Sequence, residues 1–248
     1  MNGDMASNLP SEGAQIEPLV YHMGFSFHPS IKLDQKSALQ FTSTLSEYIS
    51  PRNISLESDH WTVSGTDDGV ELTIGQSILE FAVSKPTHRQ EWYEERYHTI
   101  LSRFGESFEP QVILRSTAMI RGLLQIDGDA RDFLASQMLH VDQSDFTSLR
   151  RPIHIIGLRL FLPPYRVQQD GPEGKTVSAE DWAVNLKIES WAADPSKIFV
   201  ESSGTWEKPV KWDEQCVGEV VGRLEVLHEY LNTVLENFVK RSPNTGEE

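Results

Sequence analysis

His88, Glu91, Glu95 and His98 have the types and the spacing to hold a metal ion. They sit in the run His88-Arg-Gln-Glu91-Trp-Tyr-Glu-Glu95-Arg-Tyr-His98. On a helix they fall within about 80° of one another at ~100° per residue. Two imidazoles and two carboxylates on one face suit a transition metal. Glu95-x-x-His98 repeats the spacing of carboxylate-bridged di-metal helices, and Glu225-x-x-His228 offers a second pair. Yet Tyr93, Tyr97, Ile100 and Phe104 lie diametrically opposite, so the polar group points away from the core. A cluster on one exposed helix has no surrounding groups to orient its ligands. The expectation is a solvated face, with no metal and no cofactor.

Other chemistries find less support. Ser, His and Asp are present, but no G-x-S-x-G elbow occurs. The single cysteine, Cys216, precedes the apolar stripe of the last helix and reads as a buried structural thiol. Asp127-Gly128-Asp129 is a glycine turn between a strand and a helix, but its aspartates would repel a phosphate. Neither G-x-x-x-x-G-K nor G-x-G-x-x-G is present. The tryptophans read as core or hairpin anchors. Basic residues do not interleave with them, as a base-stacking surface would require.

A charged sheet face is the stronger candidate. Arg115 and Arg121 share one side of the strand that starts at Val112, with Thr117 and Met119 between them. Arg159, Lys187 and Glu189, and Glu201 fall on the polar sides of later strands. Cross-strand pairs of opposite charge stabilise a solvated sheet by about 0.2–1 kcal/mol each. The same arginines could hold an anionic group. Pro163 to Ala179 reads as a long loop beside them, either disordered or functional. Its Tyr165 and Arg166 are residue types enriched at binding hot spots. The candidate binding set is therefore Arg115, Arg121, Arg159, Arg166, Lys187 and Tyr165, with no catalytic set.

Periodicity supplies the elements that would position these groups. Leu19–Phe27 reads as a strand. Asp34 caps a helix to about Ile49, with Ala38, Phe41, Leu45 and Ile49 on one stripe. Ile54 to Val63 reads as one strand with a polar middle. Thr66-Asp67-Asp68-Gly69 is a hairpin turn. Val70–Ile74 and Ile78–Ser84 are strands, and Thr87 caps a helix to Phe104. The order then repeats: a strand Val112–Ile126, a short helix Asp129–Met138, strands Ile153–Leu162, Trp182–Ser190 and Ile198–Trp206, and a helix Trp212–Lys240. The last helix has Val217, Val220, Val221, Leu224, Leu227, Leu231, Val234, Leu235 and Phe238 on one stripe. Thr99-Ile-Leu-Ser-Arg-Phe104 and Thr233-Val-Leu-Glu-Asn-Phe238 close the two long helices with one pattern. The expected class is α+β, with two β-α-β-β-β-α halves, a duplication if the repeat is real. Antiparallel sheets are covered by helices, and the C-terminal helix is long. The halves are 17–108 and 109–240, with disordered tails 1–16 and 241–248.

Composition sets the remaining bounds. The chain has 248 residues, 38% hydrophobic and 24% charged, enough to bury a core without staples. One cysteine allows no internal disulfide and favours a reducing compartment. The N-terminal residues lack a signal-peptide pattern, and no run nears the roughly 18 apolar residues of a membrane span. The cytoplasm is the expected location. A formal net charge of −15 argues against nucleic acid and for a protein partner. A homo-oligomer is also allowed.

Asp68-Gly-Val-Glu-Leu-Thr-Ile-Gly75, Trp182-Ala-Val-Asn-Leu-Lys-Ile-Glu-Ser190, Asp194-Pro-Ser-Lys-Ile-Phe199 and the late Leu227-His228 helix occur together. In these the chain resembles a sporadically distributed bacterial family of uncharacterised proteins of similar length. The resemblance covers about Leu19 to Lys240. An Asn frequent in that family near Arg121-Gly122 is absent here. The resemblance implies overall architecture and a bacterial cytosolic setting, and no activity. The leading functional expectation is a non-enzymatic interaction or regulatory module. The alternatives are a small-molecule or lipid-binding helix-grip domain and a hydrolase with a dispersed site.

Overall fold

The computed structural model describes residues 16–46, 48–49, 51–65, 69–141, 149–151, 153–171 and 174–239. The N-terminal tail to residue 15, the C-terminal tail from 240 and Thr66 to Asp68 of the expected hairpin turn lie outside the described residues.

The elements follow in the order β1 (Glu17–His28), α1 (Gln35–Thr44), β2 (Pro51–Leu56), β3 (His60–Gly65), β4 (Val70–Gly75), β5 (Ile78–Ser84) and α2 (Gln90–Phe108). The second half adds β6 (Val112–Gln125), α3 (Ala130–Phe133) running into a π-helical turn at Leu134–Leu139, and β7 (Gly157–Leu162). Then come β8 (Tyr165–Gly171), β9 (Gly174–Glu180), β10 (Trp182–Ser190), β11 (Lys197–Trp206), β12 (Val210–Lys211) and α4 (Glu214–Val239). The α+β class, the antiparallel pairing and the long C-terminal helix are as the sequence predicts.

Both halves contribute to one sheet, ordered β2-β3-β4-β5-β1-β6-β11-β10-β7, with β12 also on β6. β1 and β6 pair antiparallel at its centre, from Glu17 opposite Leu123 to His28 opposite Val112. Outward from this seam each half places its last long strand, β5 or β11, and then works back through its meander. The strand order is thus mirrored about the seam.

One face of the sheet is apolar because the strands alternate. Tyr21, Met23, Phe25 and Phe27 of β1 are buried, as are Trp182, Val184, Leu186 and Ile188 of β10. The helices lie on that face. α2 buries Tyr93, Tyr97, Ile100, Leu101 and Phe104, one stripe at helical spacing. α4 sets Leu224, Leu227 and Leu231 against the sheet with no exposed surface. Trp212, just ahead of α4, locks the halves together. Its ring lies 5.5 Å from Phe25 and 6.0 Å from Phe104. Gly105 permits this approach, since a Cβ there would stand 2.6 Å from the indole nitrogen.

Several local expectations need correction. The single strand over Ile54 to Val63 is a hairpin: β2 and β3 reverse at Glu57–Asp59, where Glu57 N–H reaches His60 O at 2.9 Å. The first half therefore has one strand more than expected. The supposed loop Pro163 to Ala179 is largely the two-stranded ribbon β8–β9, with Tyr165 opposite Glu180. It continues the β7–β10 pair beyond the main sheet. Thr87 does not cap α2. The helix starts at Gln90, and the Thr87 and His88 amides donate to the Tyr93 hydroxyl at 2.9 and 3.2 Å. α1 ends at Thr44, although Leu45 and Ile49 remain in the core. Asp34 caps α1 by accepting from the Ser37 amide, as read, and Asp129 caps α3 by accepting from the Arg131 amide.

The α4 stripe carries a direct prediction. Leu224→Ala or Leu231→Ala should each cost about 2–5 kcal/mol in urea unfolding, through lost burial and the cavity left behind. A loss under ~0.5 kcal/mol would mean that α4 is not packed on the sheet.

Candidate functional site

The face of the sheet opposite the helices is polar and largely solvent-facing. Strand register makes its content explicit. Arg159 of β7 opposes Lys187 of β10, Lys187 opposes Glu201 of β11, and Glu201 opposes Arg121 of β6. These residues form one row of charges, plus-plus-minus-plus, across four adjacent strands. The next row holds Phe161, Asn185, Ser203, Met119, His22 and Ala82. Beyond it run Ala183, Thr205, Thr117, Gly24 and Glu80.

Ion pairs order the charged row. Arg121 Nε donates to Glu201 Oε2 at 2.6 Å. Both groups keep contact with solvent, so the pair contributes about 0.2–1 kcal/mol. Lys187 Nζ donates to Glu189 Oε1 at 2.7 Å and lies 5.2 Å from the Phe199 ring. Phe199 in turn stacks on Trp191 at 5.5 Å. Arg159 and Arg115 have no ion-pair partner among the described residues. The row thus offers a guanidinium, Arg159, next to two cations already balanced by carboxylates.

The predicted set is only partly brought together. Arg121, Arg159 and Lys187 share the row. Arg115 is on the same face, but six residues along β6 from Arg121, about 20 Å at 3.4 Å per residue. Tyr165 is exposed at the base of the β8–β9 ribbon, beyond the end of β7. Arg166 follows it in β8, and its side chain lies outside the described residues.

His22 was missed in the sequence, although the alternation Tyr21-His22-Met23-Gly24-Phe25 puts it on this face. Burial holds its imidazole below the ordinary histidine range. Glu80 pulls it up, and nearby Arg121 pushes it further down. At neutral pH His22 is therefore an uncharged donor or acceptor beside the charged row.

The other candidates disperse. Glu91, Glu95 and His98 are exposed on α2, and His88 is exposed just ahead of the helix. His88 stacks on Trp92 at 4.1 Å, and Arg96 covers the same ring at 3.1 Å. Glu225 and His228 lie where α4 meets α2. Burial and then the neighbouring Glu225 raise the Glu94 carboxyl there, while burial lowers His228. Among the described residues, ligand atoms converge within 4.8 Å only for Glu57, Asp59 and His60, at the exposed β2–β3 turn. The close contact within it is a hydrogen bond between neighbours, His60 Nδ1 and Asp59 Oδ1 at 2.8 Å. Cys216 is a buried free thiol whose pKa is raised by burial and by Asp213.

No known protein family and no curated protein matches this chain. No helix among the described residues is long and apolar enough to cross a membrane.

The lowered His22 value fixes the sign of a pH effect. A group that resists protonation when folded leaves stability unchanged above its ordinary value of 6.5 and removes stability as pH falls below it. His22→Gln should therefore flatten the loss of Tm between neutral and mildly acidic pH. NMR titration should place the wild-type imidazole below 6.5, and a midpoint above that value would contradict the burial account.

Proposed function

We propose that this chain is a non-enzymatic interaction or regulatory module of a bacterial system, and that its partner is another protein bound on the open sheet face. The row Arg159–Lys187–Glu201–Arg121 carries this reading. Its groups stand on strands of a sheet anchored from behind by two long helices, so their spacing is fixed before a partner arrives. Preordered charge of this kind favours specificity and fast association over raw affinity. The row's cations suit an acidic segment of the partner, with Arg121 and Lys187 exchanging or sharing their carboxylates on contact. Neutral His22, Asn185 and Ser203 add hydrogen-bonding groups alongside. The ribbon with Tyr165 and Arg166 flanks the face and extends it.

The reading includes an internal duplication, supported by the mirrored strand order and the matching hexapeptides in the C-terminal halves of α2 and α4, although α2 runs one turn past its copy. The bacterial setting rests on the resemblance of the segments around Gly75, Ser190 and Phe199.

Affinity capture with the full chain tests the reading. Wild type and Arg121→Lys should retain a partner that Arg121→Gln loses or holds at least tenfold more weakly. The melting temperature should change little, because the Arg121–Glu201 pair is half solvated. Equal capture by all three variants would place recognition elsewhere. Unfolding of Arg121→Gln would make Arg121 a structural residue.

A further inference from the structure

We propose that two copies of this chain pair antiparallel through the β7 edge, with Leu160 of each copy on the two-fold axis. This goes beyond recognition on the open face and does not depend on it.

The two edges of the sheet are built differently. β2, at one end, starts at Pro51, which has no N–H, and its pairing is irregular between Pro51 and Asn53, both features that discourage strand addition. β7, at the other end, reads Gly-Leu-Arg-Leu-Phe-Leu. It has one charge and no proline. Phe161 is 64% exposed, Leu162 38%, and Ile155 just ahead of the strand 50%. An unprotected apolar edge of this kind pairs with another strand unless something covers it.

The hydrogen-bonding direction of β7 is fixed by its inner neighbour. Ser190 donates its amide to Ile156 O at 2.9 Å. These residues continue the register in which Gly157 opposes Glu189 and Leu158 opposes Ile188. Opposed residues in an antiparallel pair alternate between hydrogen-bonded and non-bonded. Leu158, Leu160 and Leu162 therefore turn their main-chain groups toward β10. Gly157, Arg159 and Phe161 turn theirs to the free edge.

A second copy satisfies that edge in one register. An isologous dimer about an axis normal to the sheet pairs like edges antiparallel. Outward groups must meet outward groups, so odd-numbered residues oppose odd-numbered ones. Setting Arg159 opposite itself would appose two guanidinium groups, which is destabilising. Setting Phe161 opposite itself brings Pro163, which has no N–H, opposite Arg159. The remaining central register puts Arg159 opposite Phe161 of the other copy, twice, and gives about four main-chain hydrogen bonds. Each cation then lies beside an aromatic ring on the open face. On the helix-side face Leu160 meets Leu160, and Leu158 meets Leu162. Every pair within β7 is complementary, and Gly157 meets Pro163, which has no N–H, only at the end of the interface. The only charge on this strand is cationic, so the local edge does not share the chain's overall acidity.

Sedimentation equilibrium of the full chain at micromolar concentration should give about twice 28.1 kDa. Leu160 is a non-bonded position on the axis, so Leu160→Cys should form an intermolecular disulfide on mild oxidation. Leu162→Cys, which opposes Leu158, should not. Cys216 is buried and gives little background. Phe161→Pro removes an outward N–H that β10 does not use, so it should yield a folded monomer. A monomeric wild type would overturn the proposal and leave β7 to a strand of a different protein. Crosslinking of Leu162→Cys in preference to Leu160→Cys would overturn the register.

Discussion

The antiparallel seam between β1 and β6 is the constraint on which the rest of this structure depends. It joins the two halves through main-chain hydrogen bonds along nearly the whole of both strands. Once it forms, the alternation of each strand is locked in phase with its neighbour. Tyr21 is set opposite Ile120 and Met23 opposite Ala118 on the helix side, while Val20 meets Arg121 and His22 meets Met119 on the open side. A one-residue slip would exchange these faces and bury two arginines. The seam therefore decides which side of the sheet meets the helices and which side meets solvent.

Packing on the apolar side reinforces the seam. Phe25 and Phe27 of β1 contact Phe104 of α2 at 5.9 and 5.1 Å, and Phe41 of α1 reaches the same ring at 6.0 Å. Trp212 enters this cluster from the second half of the chain. At the far end Trp182 and Trp206 stack at 4.9 Å over Gly204, where any Cβ would strike the Trp206 ring at 2.6 Å. Tyr230 of α4 closes edge-on at 5.5 Å from Trp182. Aromatic anchors at both ends of the helix layer hold the sheet rigid. Rigidity on one side is what makes fixed charge spacing available on the other.

Much of this was legible in the sequence because it is periodic. The stripes of α2 and α4 and the alternation of β1, β6 and β10 follow from side chains that must be buried on one side. The same alternation placed Arg121, Arg159 and Lys187 on a common face. Their assembly into one row was not legible, because β11 inserts between β6 and β10 and sequence order does not state that pairing. The β2–β3 reversal was missed because Glu57-Ser58-Asp59 contains no glycine or proline. The β8–β9 ribbon was missed for a different reason. Its strands pair only with each other, and Tyr165-Arg-Val-Gln-Gln-Asp-Gly171 alternates no apolar stripe that would mark a strand in sequence. Its Asp170-Gly171 pair is the local turn signal that remained.

The central claim is that one continuous sheet, seamed at β1 and β6, makes the two halves a single cooperative body with one free face. Native-state hydrogen exchange followed by NMR tests it most directly. The account predicts that the β1 and β6 amides exchange last, with one common opening free energy equal to that of global unfolding. Protection that splits between the halves, with β1 and β5 opening at a lower free energy than β6 and β11, would show two separately folding units and contradict it.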